Sequence, residues 1–371
     1  MHFLAALLLQ ATAFVGVNVV PMDGGPLLSG QTVIVRDAHV EQIGPIAEVE
    51  IPSDARIVYG RGRWLVPGLI DMHVHIRAVD LPAYVASGVT TVRDLAGLDS
   101  VLATMRSVER GELVGPRILA SSKLLTGPNP FNPFFSRPVT SVGDAARAVD
   151  EQLARGATSI KVYEGLSLAV YDAIVNAAHA RGVKVSGHVS QHVGVAHAMT
   201  MQDSIEHLSA YPLPASQELL NATRDSGVWN CPTQVVFRDH VYAAMPPAQR
   251  EQLLAARRDL VRALDEAGAR ILAGTDAGYL VPAGTSLHEE LAELSAAGLT
   301  NEEVLAAATR SAGEYLGDPT LGVINIGARA DLLLVNENPL ENLATLRNPV
   351  GVMLNGRWIV YSHDRRRAVK K

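Results

Sequence analysis

The sequence has few of the features that mark several common protein classes. It contains one cysteine, Cys231, in 371 residues, so an internal disulfide framework and a cysteine-based zinc finger are both excluded. Only 5% of the residues are aromatic and only 19% are charged. No uninterrupted apolar run reaches the roughly 18 residues of a membrane-spanning helix. Because there is only one cysteine, any bound metal must be held mainly by the 12 histidines and the carboxylates.

The charge balance is slightly acidic, with 32 basic and 38 acidic residues and a net charge of -6. Nucleic-acid-binding proteins usually carry a basic patch, so we expect a small-molecule partner and no nucleic acid. We also expect that the chain can form a homo-oligomer. A hydrophobic share of 48%, with 31 glycines and 20 prolines, is typical of a globular protein. The length allows two domains, or one large α/β barrel with an addition.

The first thirteen residues resemble a secretory leader. Residues 3–9 are apolar, and Ala11-Thr12-Ala13 has the small-x-small pattern of a signal cleavage site. The segment is short, however, and no lysine or arginine precedes its apolar run. We predict a signal peptide over residues 1–13, which favours a periplasmic or secreted protein over a cytoplasmic one. The alternative is that these residues begin the first strand.

Both ends of the chain are rich in strand-like sequence, whereas the middle alternates. Residues 14–66 and 319–371 contain short β-like runs separated by glycine and proline, and they predict a small composite β-sandwich domain. Residues 67–318 contain eight apolar β-like runs, most of them followed by helix-like sequence. This α/β pattern predicts a (β/α)₈ TIM barrel. The runs are 69–76, 89–95, 117–120, 159–163, 183–189, 204–208, 228–233 and 270–276. Residues 126–138, rich in proline and phenylalanine, predict a long loop that forms a lid or a pocket wall.

Polar residues recur where these predicted strands end, the position of the active site in such barrels. Alone, each has a simpler explanation: a histidine packed in the core, a lysine reaching solvent, or an aspartate capping a helix. Together they favour a metal site, because buried ionisable groups are costly unless they are paired or bind metal. The residues are His73, His75, Lys161, His188, His207 and Asp276.

Residues 66–75, with the sequence VPGLIDMHVH, resemble the opening motif of the amidohydrolase superfamily. Lys161, His188, His207 and Asp276 follow in that family's order, at its strands four, five, six and eight. The stretch 321–332 resembles its return to the small β domain. The nearest branch is the imidazolonepropionase-related group with its prolidase-like and carboxypeptidase-like members.

This resemblance implies two divalent metal ions, with zinc expected, bridged by a carboxylated Lys161, a carbamate formed with CO₂. It assigns His73, His75 and Asp276 to one ion, and His188 and His207 to the other. Imidazolonepropionase itself resembles a one-metal enzyme without this lysine, so Lys161 argues against that activity.

The implied reaction is hydrolysis of a C–N amide bond by metal-bound hydroxide, with Asp276 as general base and then general acid. Dipeptides or N-acyl amino acids are the expected substrates. Lactone or phosphotriester hydrolysis and deamination remain alternatives at the same site, and a catalytically silent scaffold is another.

Tyr163, Tyr211 and Arg238 follow predicted strands and are candidate substrate contacts, with Arg238 suited to a substrate carboxylate. Asp71 is expected to support the metal ligands. Strand alternation predicts that Glu206 faces away from His207.

Overall fold

The computed structural model describes residues 10–130 and 132–360. Within them the chain divides into two compact units. The first comprises residues 10–69, 85–90 and 309–360, and the second comprises residues 70–84 and 91–308. The predicted leader lies mostly outside the described residues, although Thr12 and Ala13 are the first two residues of a strand. No helix in the described ranges is long and apolar enough to cross a bilayer.

The first unit is built on one eight-stranded sheet to which both ends of the chain contribute. Its order is β17-β16-β15-β5-β1-β2-β3, and β4 pairs with β1. Since all eight strands belong to one hydrogen-bonded sheet, the predicted sandwich of two layers stays a prediction. The strands are β1 Thr12–Val19, β2 Leu28–Arg36, β3 His39–Pro45, β4 Arg56–Tyr59, β5 Trp64–Pro67, β15 Leu332–Val335, β16 Gly351–Leu354 and β17 Arg357–Val360.

The second sheet contains the eight parallel strands that the sequence predicts, in chain order from β14 back to β6. A short additional strand, β9, pairs with β8 inside the segment predicted as a long loop. All six residues of β6 are buried, as expected for a parallel strand covered on both faces. The strands are β6 Leu69–Val74, β7 Val89–Asp94, β8 Arg117–Thr126, β9 Ser136–Pro138, β10 Ser159–Val162, β11 Val185–Gly187, β12 Ser204–Glu206, β13 Trp229–Cys231 and β14 Arg270–Ile271.

Backbone hydrogen bonds join the last strand segment of this sheet to the first. Met72 N donates to Ala273 O at 2.9 Å, and His75 N donates to Ala277 O at 2.7 Å. The sheet therefore curls round, and the chain just after β14 lies beside the end of β6. This contact brings residues about 200 positions apart to one edge, where the predicted site residues lie.

Helices follow most of the parallel strands, which is the alternation predicted for this α/β fold. One predicted helix, 300–316, is divided in two, and a capping box of Thr300 and Glu303 begins its first half. A single π-helical turn, Phe237–Val241, continues α7. The helices are α1 Leu81–Ala86, α2 Asp99–Glu109, α3 Val142–Arg155, α4 Leu168–His179, α5 Val195–Ala198, α6 Gln217–Ser226, α7 Gln234–Val236, α8 Pro247–Glu266, α9 Thr285–Ala297, α10 Asn301–Ala307 and α11 Arg310–Leu316.

Candidate metal centre

The first two histidines lie at the end of β6. His73 is inside the strand and His75 comes directly after it, so side chains two apart point to the same side. Their rings meet edge to face with centroids 5.6 Å apart. Burial, followed by the nearby charge of Lys161, lowers the pKa of His73 to about 4. His73 is therefore neutral near pH 7, the form in which imidazole binds a metal.

Asp276 reaches the same point from the chain after β14. Its backbone N–H donates to His73 O at 2.7 Å, which fixes it against β6. Asp276 Oδ1 lies 2.9 Å from His75 Nε2 and 3.4 Å from His73 Nε2. Burial alone would raise the pKa of Asp276, but the hydrogen bond from His75 and the charge interactions with both histidines hold it well below its usual range. Asp276 is thus a carboxylate in this setting.

His207 and His188 extend this group along the sheet edge. The His207 ring centroid is 4.5 Å from that of His73 and 4.6 Å from that of His188. Tyr163 packs on the other side of His188, with ring centroids 4.1 Å apart. Burial lowers the pKa of both His188 and His207. The rings thus form a continuous row of neutral imidazoles.

Lys161 is a buried lysine within β10, between two buried apolar residues. Its backbone N–H donates to Ser122 Oγ at 2.9 Å. Burial lowers the pKa of its amine to about 8. A larger fraction of the amine is therefore neutral near pH 7 than for an exposed lysine.

Glu206 orients His73, which the alternation pattern did not predict. Its carboxylate Oε2 accepts a hydrogen bond from His73 Nδ1 at 2.8 Å, and its Oε1 accepts one from Arg93 Nη2 at 2.8 Å. Arg93 also donates from Nε to Met72 O at 2.6 Å. Although burial would raise the pKa of Glu206, Arg93 and His73 hold it well below its usual range. With Nδ1 engaged, His73 presents Nε2 to the centre.

Left-handed backbone at the strand ends explains why the side chains of Glu206 and His207 do not follow the predicted alternation. β12 ends at Glu206, and the next residue, His207, has φ +67°. The chain turns at once, so both side chains contact His73 rather than pointing to opposite sides. Thr233 (φ +48°) and Asp276 (φ +63°) adopt the same conformation after β13 and β14. Thr233 Oγ1 is hydrogen-bonded to His207 Nδ1 at 2.7 Å. Such backbone is costly for residues with a side chain.

All six predicted ligand residues line one cavity of about 510 Å³. This volume is typical of small-molecule sites. We call His73, His75, Lys161, His188, His207 and Asp276 the ligand floor. The apolar wall above it consists of Leu124, Phe135, Val236, Phe237, Val241, Tyr279 and Leu280. The other lining residues are Asn132, Ser136, Tyr163 and Ser209.

Two of the three predicted substrate contacts lie outside this lining. Tyr211 is buried, and its hydroxyl donates to Asn230 Oδ1 at 3.0 Å. Arg238 bonds to three carboxylates, belonging to Asp239, Glu289 and Glu293. The π-helical turn that contains Arg238 directs its side chain to these carboxylates, which periodicity in the sequence does not indicate. Of the three, only Tyr163 lines the cavity.

The residues present fit a metal ion. One ligand atom each from His73, His75 and Asp276 lies within 4.8 Å of the other two. Within the described ranges, His73 Nε2 and His75 Nδ1 are buried nitrogens without a hydrogen-bond partner. A second group of this kind, His73, Glu206 and Cys231, is less suitable because its carboxylate already accepts bonds from His73 and Arg93. The unpaired nitrogens favour the first group.

The sequence profile of the amidohydrolase family matches residues 64–359, well over half of the chain. The protein belongs to the amidohydrolase family. It is a hydrolase acting on C–N bonds. Its metal-ligand candidates, His73, His75 and Asp276, agree with the metal dependence typical of that superfamily.

Relatives of this amidohydrolase include proteins of several kinds. An uncharacterized protein of Mycobacterium tuberculosis is 28% identical over 326 residues, covering 80% of this chain and 85% of the relative. The ochratoxinase of Aspergillus niger is 25% identical over 409 residues, covering 90% and 83%. The crystal structure of a candidate prolidase from Bifidobacterium longum aligns with a TM-score of 0.83 and 28% identity, covering 95% of each chain.

Sequence reasoning missed most of the apolar wall of this amidohydrolase. Only the segment 126–138 was predicted as a lid or cavity wall, and it supplies Asn132, Phe135 and Ser136. Val236, Phe237 and Val241 come from α7 and the π-helical turn, and Tyr279 and Leu280 from the loop after β14. The available signal was the apolar composition of these two segments just after predicted strands.

Proposed function

We propose that this amidohydrolase is a binuclear metal-dependent enzyme that cleaves an amide bond in peptide-like small molecules, the class that includes dipeptides and N-acyl amino acids. The observation that carries the proposal is the convergence of six strand-end residues on one cavity, with His73 Nε2 buried and unpaired within the described ranges. A group of this composition, with four imidazoles and a carboxylate, suits zinc and related ions.

In this proposal His73, His75 and Asp276 hold one ion, and His188 and His207 hold the other. Divalent ions bound there would lower the pKa of a water molecule towards neutrality and polarise the carbonyl of the scissile bond. The protein's share is to present neutral imidazoles. Burial supports this by lowering the pKa of His73, His188 and His207.

As a carbamate, Lys161 would be a further ligand that supplies two oxygens and a negative charge to the two ions. The neutral amine adds to CO₂ and loses a proton, which exchanges a positive side chain for a negative one with two oxygens. The pKa of about 8 that burial gives Lys161 supports this step, because only the unprotonated amine reacts. An ammonium in the same place would instead repel two dications.

Asp276 moves the proton of the reaction. It accepts a proton from the attacking water and delivers it to the leaving nitrogen as the C–N bond breaks and the C–O bond forms. Amide and water are thereby converted into a carboxylic acid and an amine. Its position in the chain after β14, with Oδ1 2.9 Å from His75 Nε2, supports this role.

The test is a panel assay on protein reconstituted with zinc and bicarbonate, with metal content measured on the same sample. We expect release of free amine from dipeptides or acylated amino acids, with about two metal ions per chain. If the protein binds two ions but hydrolyses only lactones or phosphotriesters, the proposed amide substrate is wrong and those compounds are the substrate class. Failure to bind any metal would favour a silent scaffold.

Export and self-association are separate proposals. A secreted or periplasmic location follows from the leader-like residues 1–13, and N-terminal sequencing of the protein from its native host tests it by showing whether they are removed. A homo-oligomer is tested by light scattering on the purified chain.

A further inference from the structure

The apolar wall continues from the ligand floor to the cavity mouth. Phe135 and Tyr279 meet edge to face, with ring centroids 5.6 Å apart and planes at 90°. Tyr279 is 53% exposed, and Val241 and Leu280 are also exposed at 47% and 40%. Exposed apolar side chains grouped at a cavity mouth gain stability when an apolar group covers them.

Basic side chains around this wall have partners of their own. Arg238 bonds to three carboxylates, and Arg77 makes two hydrogen bonds to Asp80, at 2.6 and 2.8 Å. Lys123, which precedes Leu124 in β8, places its Nζ 5.8 Å from the centre of the Phe134 ring.

Two more cations lie beside the wall among the described residues. Arg250 donates from Nη2 to Arg238 O in the π-helical turn at 2.6 Å. The other is Arg257, which lies beneath the wall. Its guanidinium carbon is 3.4 Å from the centre of the Phe237 ring, and its side chain is buried. It donates to the carbonyl oxygens of His207 and Pro232 at 2.8 and 2.9 Å. Phe237 therefore covers Arg257, whose guanidinium is already hydrogen-bonded to the backbone at His207.

We propose that the cavity selects amides whose groups beyond the scissile bond are neutral and apolar or aromatic, so that it prefers blocked peptide-like amides over free carboxylates. The inference rests on the proposed function and narrows its substrate class. A free carboxylate against the wall loses hydration, and to gain an ion pair it must compete with Asp80 for Arg77, whose guanidinium carbon lies 5.7 Å from the centre of the Tyr279 ring. An aromatic group instead packs against the pair formed by Phe135 and Tyr279, in the edge-to-face or offset geometry that aromatic rings favour.

The experiment compares N-benzoylphenylalanine with its N-methylamide on the zinc- and bicarbonate-loaded enzyme. Benzoate release reports cleavage of the same bond in both compounds. We expect kcat/KM for the neutral amide to exceed that for the acid by about tenfold or more. Equal rates, or a preference for the acid, would overturn the proposal.

Substitution of Tyr279 tests the aromatic part of the wall. In Tyr279→Ala we expect the ratio of kcat/KM between a benzoyl amide and its acetyl counterpart to fall about tenfold. Tyr59→Ala is the matched control, because Tyr59 is exposed and lies outside the cavity lining. An unchanged ratio in Tyr279→Ala would count against this assignment.

Binding measurements separate failure of the inference from failure of the proposed function. The probes are ketomethylene analogues of the same acid and amide, in which CH₂ replaces the scissile NH, titrated calorimetrically into wild-type protein. Tighter binding of the neutral analogue without any hydrolysis of the amides would reject the function and keep the cavity preference. Hydrolysis of the amides with a preference for the acid would support the proposed function and reject the cavity preference. Failure of both analogues to bind would also reject the cavity preference.

Discussion

The ligand floor and the apolar wall of the cavity are built in different ways. Five of the six floor residues lie in or directly after a parallel strand. The sixth, Asp276, lies five residues after β14 and is held by the hydrogen bond from its backbone N–H to His73 O. The wall comes mostly from segments between strands, with Tyr279 half exposed. Under the proposed function, the difference teaches that the residues for the reaction come mainly from the strands of the sheet, whereas the residues for substrate selection come from the segments that connect the strands.

The strongest test of this difference between floor and wall is to remove the carboxylate of Asp276 from the floor. Asp276→Ala should lower kcat by about a thousandfold or more, because in the proposed mechanism Asp276 is both the proton carrier and a metal ligand. Steady-state kinetics with metal counting on the same sample measures the effect. Asp99→Asn is the control, since this exposed carboxylate pairs with Arg155 on the surface. A near-normal rate with metal bound would refute the role.

Loss of Lys161, the proposed bridge between the two ions, should have the next largest effect. Lys161→Ala should reduce bound metal and lower kcat by about a hundredfold, with partial recovery in millimolar acetate, whose carboxylate replaces the carbamate. Metal analysis with and without acetate measures this. Lys184→Ala is the control, because Lys184 lies 3.8 Å from Asp203 and outside the cavity lining. Full metal content in Lys161→Ala would contradict a bridging role.

Substitution of Glu206, which lies behind the ligand floor, should weaken metal binding without removing a contact to the substrate. Glu206→Gln removes the charge that accepts the His73 Nδ1 hydrogen bond, and we expect metal affinity to fall about 10- to 100-fold. Competition with a chelator measures this without any activity assay. Glu48→Gln, at an exposed position, should leave metal affinity unchanged. Wild-type affinity in Glu206→Gln would mean that His73 does not need this partner.

Behind the wall, Glu290 should affect stability rather than chemistry. It is buried and accepts a hydrogen bond from Val235 N, and burial raises its pKa from 4.5 to about 8. Folding therefore favours its protonated form, so this contribution is complete below pH 4.5 and is lost as the pH rises towards 8.

Glutamine does not titrate, so Glu290→Gln should not lose stability as the pH rises from 4.5 towards 8. Its free energy of unfolding should therefore increase relative to wild type by about 1.4 kcal/mol for each pH unit in that range. Urea unfolding at several pH values between 5 and 8 measures the difference. Glu218→Gln, on the exposed face of α6, should follow wild type. A difference between Glu290→Gln and wild type that does not change with pH would contradict the assignment.

The smallest expected effect on activity is at Arg238, one of the three candidate substrate contacts from the sequence. Because three carboxylates engage it outside the cavity lining, Arg238→Ala should change kcat/KM by about twofold at most and cost about 1 kcal/mol of stability. Kinetics on acidic and neutral amides, with thermal melting, measures both. Selective loss of activity on the acidic amides would restore Arg238 as a substrate contact.

The floor could be predicted from sequence because one rule places it: in such sheets, polar residues at the ends of parallel strands meet. His73 and Asp276, 203 positions apart, were brought together by that rule alone. Glu206 was missed because alternation assumes a continuing strand, and the backbone turns at His207. Arg238 was misplaced because a π-helical turn sets its direction, and turn geometry leaves no periodic signal in the sequence.

The left-handed backbone at His207, Thr233 and Asp276 has a consequence for anyone who wishes to make this protein more heat-resistant. Such positions resemble repairable defects, since glycine would adopt the same angles without steric cost. Thr233→Gly would relax the chain but delete the hydroxyl that holds His207. A screen that rewards only a higher melting temperature would therefore collect changes that dismantle the centre, so selection for thermal resistance needs a metal-retention assay beside it.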